Sequence, residues 1–134
     1  MGSQTMRGYT LDVSEYLFRL TTESLRIHSN QTRRYQSLGN LVNARATAGA
    51  AGAIEQHDVE TLRKHLEKVP TKGPIRIHLS ITKTSAESLT EAKRRLEKHL
   101  GSALTVGDAI SMLLFDYVVE QGTAKLLSKI EQQH

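Results

Sequence analysis

The sequence predicts a mainly α-helical protein built around one well-marked β-strand, and three observations carry that prediction. Ile75–Thr82 reads Ile-Arg-Ile-His-Leu-Ser-Ile-Thr, an unbroken alternation of apolar and polar residues, the period of a strand with one buried and one wet face. Two amphipathic helical patterns follow it directly. Before it lies a stretch of further helical patterns, closed by Pro70-Thr71-Lys72-Gly73-Pro74, where two prolines and a glycine mark a linker. The chain therefore divides into an N-terminal, mostly helical segment (1–70), a linker (71–74), and a strand-helix-helix unit with a C-terminal helical tail (75–134).

In the first segment Tyr9, Leu11 and Val13 alternate weakly with Thr10 and Asp12 and suggest a short strand. Ser14 is placed to cap a helix carrying Leu17, Leu20, Ser24 and Ile27. The polar run Ser29, Asn30, Gln31, Thr32 reads as its break. A second helical pattern carries Tyr35, Leu38, Val42 and Ala46 and runs into the small residues 48–53. A third, after Asp58, aligns Val59, Leu62, Leu66 and Val69 on one stripe. No internal repeat is visible, and Met1, Gly2 and Ser3 carry no structural weight.

After the strand, Ser85 is the candidate cap of a helix with Leu89, Ala92, Leu96 and Leu100 on its apolar stripe and Gly101 at its end. Thr105 is the candidate cap of the next helix, with Asp108 placed to complete a capping box. Ala109, Met112, Leu113, Leu114, Phe115, Tyr117 and Val118 make that helix apolar almost all round, so it must be covered on several sides, by a second copy or by the N-terminal segment. Gly122 is its expected end, with a short terminal helix over 123–132.

Composition narrows the function classes. Without cysteine there are no disulfides, thiolate metal sites or cysteine nucleophiles. Trp is absent and aromatics are scarce, which disfavours base-stacking platforms. The histidines lack metal-ligand spacing, the carboxylates Asp12, Glu15, Glu55, Asp58 and Glu60 are scattered, and no Walker loop, nucleophile elbow or dinucleotide fingerprint is present. The expectation is a non-enzyme with no metal and no cofactor. No apolar run reaches the length of a membrane span, and a cytoplasmic protein is expected. The net charge is +4, but it is unevenly spread. Between Arg63 and Ala103, Arg63, Lys64, Lys68, Lys72, Arg76, Lys83, Lys93, Arg94, Arg95 and Lys98 face four acids, Glu67, Glu87, Glu91 and Glu97. A basic block around a polar strand face suits a polyanion; the plainer reading is a solvated surface.

Residues 75–119 resemble the Arc/MetJ-type ribbon-helix-helix proteins, particularly the small plasmid copy-control repressors. Arg76-Ile77-His78-Leu79-Ser80 is similar to their ribbon strand. Leu104-Thr105-Val106-Gly107-Asp108-Ala109-Ile110-Ser111 is similar to the start of their second helix, and Tyr117 falls where an aromatic commonly closes it. The interval from strand to Thr105 is a few residues longer than usual, and Gly107 is unusual in a first helical turn.

The resemblance implies a ribbon-helix-helix dimer. Two chains would pair their strands into an antiparallel ribbon that enters the major groove of double-stranded DNA. Arg76, His78 and Ser80 would read bases. The backbone N–H groups of Thr105, Val106 and Gly107 would hold a phosphate, and Lys83 and Thr84 would add backbone contacts. The implied roles are transcriptional repression or an accessory function at a plasmid replication or conjugative transfer origin, in a bacterial, nucleoid- or plasmid-associated setting. The alternative function is an antitoxin-like or adaptor protein whose N-terminal helices grip a protein partner. The alternative architecture is an intrachain pseudo-dimer, with Tyr9–Val13 and the patterns over 14–29 and 32–53 as a degenerate second unit. Against it stand Asp12 on the would-be DNA face and the lack of a recognised cap on the second helix.

Overall fold

The computed structural model describes residues 5–46 and 49–132; Met1, Gly2, Ser3 and the Ala48 end of the small-residue run lie outside them. Among these residues two antiparallel strands and six helices are formed. The strand marked by alternation forms with the bounds its pattern gives, as β2 (Ile75–Thr82). Its partner is β1 (Met6–Val13) of the same chain, in a register that sets Thr10 opposite His78, Asp12 opposite Arg76 and Gly8 opposite Ser80. The ribbon is thus completed within one chain, which corrects the expectation that a second copy supplies the other strand. Tyr9, Leu11 and Val13 join Ile75, Ile77, Leu79 and Ile81 on the inner face, with Val13, Leu79 and Ile81 buried.

Each strand leads directly into a helix. Ser14 caps α1 (Glu15–Thr32), accepting from the Leu17 N–H at 3.0 Å. The polar run expected to break α1 stays helical: Thr32 Oγ1 donates to the His28 carbonyl at 3.0 Å, and Ser29 Oγ accepts from the Gln36 N–H at 3.0 Å. The helix stops instead at Arg33, which is left-handed (φ 56°). Ser37 then caps α2 (Leu38–Arg45), so Tyr35 lies before the helix and is fully exposed. Two further helices, α3 (Ala50–Glu55) and α4 (Val59–Lys68), complete the first half; the latter starts after Asp58 as expected, and Asp58 is its cap.

In the second half Thr82, not Ser85, caps α5 (Lys83–Leu100). The helix starts one turn earlier than a Ser85 cap would set it, and Ser85 is buried at the third helical position, where its hydroxyl accepts from Thr82 Oγ1. Gly101 ends the helix in the left-handed region, as expected. α6 (Val106–Gln132) runs straight through Gly122. A glycine there costs roughly 1 kcal/mol but keeps its N–H in the ladder, so it weakens a helix without ending it.

The two halves follow one plan. Caps Ser14 and Thr82, left-handed stops Arg33 and Gly101, caps Ser37 and Thr105, and the first-turn glycines Gly39 and Gly107 are each 68 residues apart. The same interval relates Thr10 to His78, which face each other at the centre of the ribbon. β1-α1-α2 and β2-α5-α6 are therefore two strand-helix-helix units of the same order and spacing, and the register of the ribbon sets its two strands about a local dyad at that pair. Side chains agree at scattered positions only, among them Leu11 and Leu79, Thr22 and Thr90, and the ion pairs Glu23–Arg26 and Glu91–Arg94.

One core spans both units. It joins Leu41, Val42, Ile54 and Leu62 to Ile81, Leu96, Ile110 and Leu114. α6 is covered along its first half by α1, α3, α4 and α5, which answers the need its apolar surface created without a second copy. The expected linker is also held: the Ser14 N–H donates to the Thr71 carbonyl at 3.0 Å, Ser14 Oγ donates to the Pro70 carbonyl at 2.5 Å, and Lys72 bridges Val13. Analytical ultracentrifugation of the intact chain is expected to give a folded species of monomer mass, 14.9 kDa, at low micromolar concentration. Unfolding on dilution would show that the ribbon needs a second chain after all.

His65 of α4 is buried against α6, its Nε2 2.8 Å from Ser111 Oγ and its ring stacked on Phe115. Burial lowers its pKa below the ordinary 6.5, outweighing the Ser111 hydrogen bond. Between its folded pKa and 6.5 the unfolded chain binds the extra proton, so stability falls as pH drops through that window and levels off below it. The shifted carboxylates, Asp12, Glu23, Asp58, Glu91 and Glu97, act only at lower pH, because their ordinary values are 4.5 or less. Thermal unfolding between pH 7.5 and 5.5 is expected to show a falling Tm that flattens in His65→Gln; an equal fall in the variant would assign the effect elsewhere.

Candidate functional site

Strand alternation places Arg76, His78 and Ser80 together on the outer face of the ribbon, all three exposed. β1 adds Gly8, Thr10 and Asp12 to the same face. The face is ordered by cross-strand pairs. Arg76 Nε donates to Asp12 Oδ1 at 2.9 Å, its Nη2 lies 3.4 Å from Oδ2, and Thr10 Oγ1 lies 3.0 Å from His78 Nδ1. The guanidinium holds the Asp12 carboxyl below its ordinary range, and the carboxylate raises Arg76 in turn. Both groups are solvated, so the pair contributes little to stability. It does hold a five-donor fork and a carboxylate flat on one exposed surface.

Helix N-termini dock beside this ribbon. α2 starts against β2: a methyl group on Gly39 would lie 2.1 Å from the Ser80 carbonyl oxygen, and Asn43 Oδ1 accepts from the Thr82 N–H at 2.9 Å. Glycine at position 39 is thus what lets the helix touch the strand backbone. α6 starts against the segment held at the end of β1: a methyl on Gly107 would lie 2.6 Å from Thr71 Cγ2, and Thr71 Oγ1 donates to Asp108 Oδ1 at 2.5 Å. The glycine that looked odd in a first helical turn is explained by this close approach.

The expected capping box is present: the Asp108 N–H donates to Thr105 Oγ1 at 3.0 Å, and the Thr105 N–H to Asp108 Oδ2 at 2.9 Å. This engages one of the three backbone donors expected to hold a phosphate. Val106 and Gly107 keep the first-turn N–H groups that helix geometry leaves without an intrahelical acceptor; Thr105 is exposed, Val106 half-buried and Gly107 buried. Leu38 and Gly39 stand in the same position at α2, and the sequence reading did not single them out. The signal that marks them is Ser37-x-Gly39-Asn40, which matches Thr105-x-Gly107-Asp108 at the 68-residue interval.

Lys83 and Thr84 are exposed in the first turn of α5. Because the strand ends at Thr82, Lys83 is released from the inward position that strict alternation would assign it. The basic cluster on α5 is largely spent on local pairing: Arg94 with Glu91 at 2.6 Å, Arg95 with Glu55 at 2.7 Å, Lys93 with Glu97 at 3.6 Å. Among the described residues no group of His, Cys, Asp and Glu is arranged to hold a metal, and no helix is long and apolar enough to cross a membrane. Comparisons with protein-family models, with curated proteins and with solved structures find no match for this chain.

Proposed function

We propose that this protein binds double-stranded DNA sequence-specifically, as a ribbon-helix-helix protein whose single chain supplies both halves of the binding unit. The observation that carries the reading is the outer ribbon face, two strands wide and exposed, with hydrogen-bonding groups at Thr10, Asp12, Arg76, His78 and Ser80. A two-stranded ribbon fits the major groove, where such groups meet base edges. Helix starts lying beside the ribbon, at Leu38–Gly39 and Val106–Gly107, support the reading, since their N–H groups and positive dipole ends suit phosphates. Lys83 and Thr84 contribute phosphate contacts at the strand exit. The biological role in this reading is that of a repressor or of an accessory protein at a plasmid replication or transfer origin.

Gel shifts of the intact chain on random-sequence duplex at two salt concentrations test it. Affinity is expected to fall steeply with salt, with a log-log slope of about −0.9 per phosphate contacted. Salt-independent or undetectable binding would overturn the reading. A second reading, an adaptor that grips a protein partner, draws on Val119, Leu126, Leu127 and Ile130, exposed along the far half of α6. It requires no DNA binding, and the same gel shifts separate the two.

A further inference from the structure

The local dyad of the ribbon relates unlike side chains. At the 68-residue interval Arg76 corresponds to Gly8, His78 to Thr10 and Ser80 to Asp12. The ends of the ribbon consequently differ. One end carries the Asp12–Arg76 ion pair. The other carries Gly8 opposite Ser80, and nothing lies closer to a side chain at Gly8 than the Ser80 hydroxyl at 4.0 Å. A ribbon of two identical strands presents the same groups to both half-sites and so reads a palindrome. This ribbon cannot. From this asymmetry we infer that the DNA sequence recognised by this chain is non-palindromic, with base discrimination concentrated in the half-site facing Asp12 and Arg76.

The chemistry of the two halves differs accordingly. The ion-pair end offers guanidinium donors suited to guanine O6 and N7 and a carboxylate suited to the cytosine N4 amino group, the two partners of one base pair. The Gly8–Ser80 end offers one hydroxyl, which serves several bases and selects few. Thr10 and His78 face the base steps at the centre. The inference rests on the DNA-binding reading above, and it adds a property that reading does not require, since a duplicated unit with matched strands would read a symmetric site.

Selection of duplexes from a randomised library by the intact chain tests it, repeated with the triple variant Gly8→Arg, Thr10→His, Asp12→Ser. The three positions are exposed and Gly8 has room for a side chain, and circular dichroism with a melting curve establishes that the variant is folded. The native chain is expected to enrich one non-palindromic motif, with G·C discrimination of about tenfold or more in one half-site and weak preference in the other. The variant, whose two strands now present the same outer residues, is expected to enrich a palindromic motif. A palindromic motif from the native chain would overturn the asymmetry while leaving DNA binding intact. The same non-palindromic motif from both proteins would show that the ribbon face is not its source. Absence of any enrichment would overturn sequence-specific binding itself.

Discussion

Arg76→Ala and Lys83→Ala are expected to produce opposite patterns of lost DNA binding. Arg76 lies on the exposed ribbon face proposed to read bases, so its removal should cost roughly 1–3 kcal/mol on the selected sequence. Lys83 lies at the strand exit, so its removal should weaken selected and random duplex about equally and reduce the salt slope by about one. The Asp12–Arg76 pair adds a complication that sequence alone conceals. Arg76→Ala also leaves the Asp12 carboxylate uncompensated on the exposed ribbon face, which, if that face meets DNA as proposed, penalises every sequence. The double variant Arg76→Ala, Asp12→Asn removes that charge. The loss of discrimination that survives in the double variant belongs to base reading, and the general loss that disappears belongs to repulsion. Quantitative gel shifts on selected and random duplex measure both. Unchanged discrimination in a folded Arg76→Ala protein would remove the ribbon as the reading element.

Gly39→Ala is expected to be strongly destabilising, because Gly39 is buried where α2 meets the ribbon. In a helix such a change ordinarily stabilises by up to about 1 kcal/mol. Here the added methyl meets the backbone carbonyl of Ser80, which cannot rotate away. Either α2 lifts from the ribbon or β2 shifts, at a cost of roughly 1–3 kcal/mol or more. Gly107→Ala supplies the contrast. Its obstacle is the Thr71 side-chain methyl, and Thr71→Ser removes that methyl while keeping the hydroxyl that bonds Asp108. Urea unfolding should therefore show Gly107→Ala rescued by Thr71→Ser and Gly39→Ala left unrescued. Equal, small effects at both glycines would mean the helix starts do not press on the ribbon.

The candidate site was half legible from sequence. Arg76, His78 and Ser80 follow from alternation alone, and the structure puts all three on the exposed face. Thr105 and Asp108 follow from capping chemistry over four residues. Gly8, Thr10 and Asp12 were not legible as site residues, because β1 alternates poorly: Arg7 interrupts its inner set, and Gly8 has no side chain to show a face. Asp12 read alone argued against a DNA-facing strand. Only its cross-strand neighbour, Arg76, turns that carboxylate into half of an ion pair.

What the sequence determined by itself is the local structure: the bounds of β2, the caps Ser14 and Thr105, the stop at Gly101, and the apolar surface of α6 that demanded cover. These depend on neighbours within a turn or two, so their signals lie in short windows. The tertiary structure alone decided which strand pairs with β2, what covers α6, and where a helix ignores a weak stop, as α6 does at Gly122. Strand pairing joins residues more than sixty positions apart, and a strand edge accepts any partner that brings matching hydrogen-bonding groups and a compatible face. One shared core then determines the choice: Tyr9 and Leu11 of β1 pack with Leu79 and Ile81 of β2 against the same core that takes in Ile110, Met112 and Leu114 of α6.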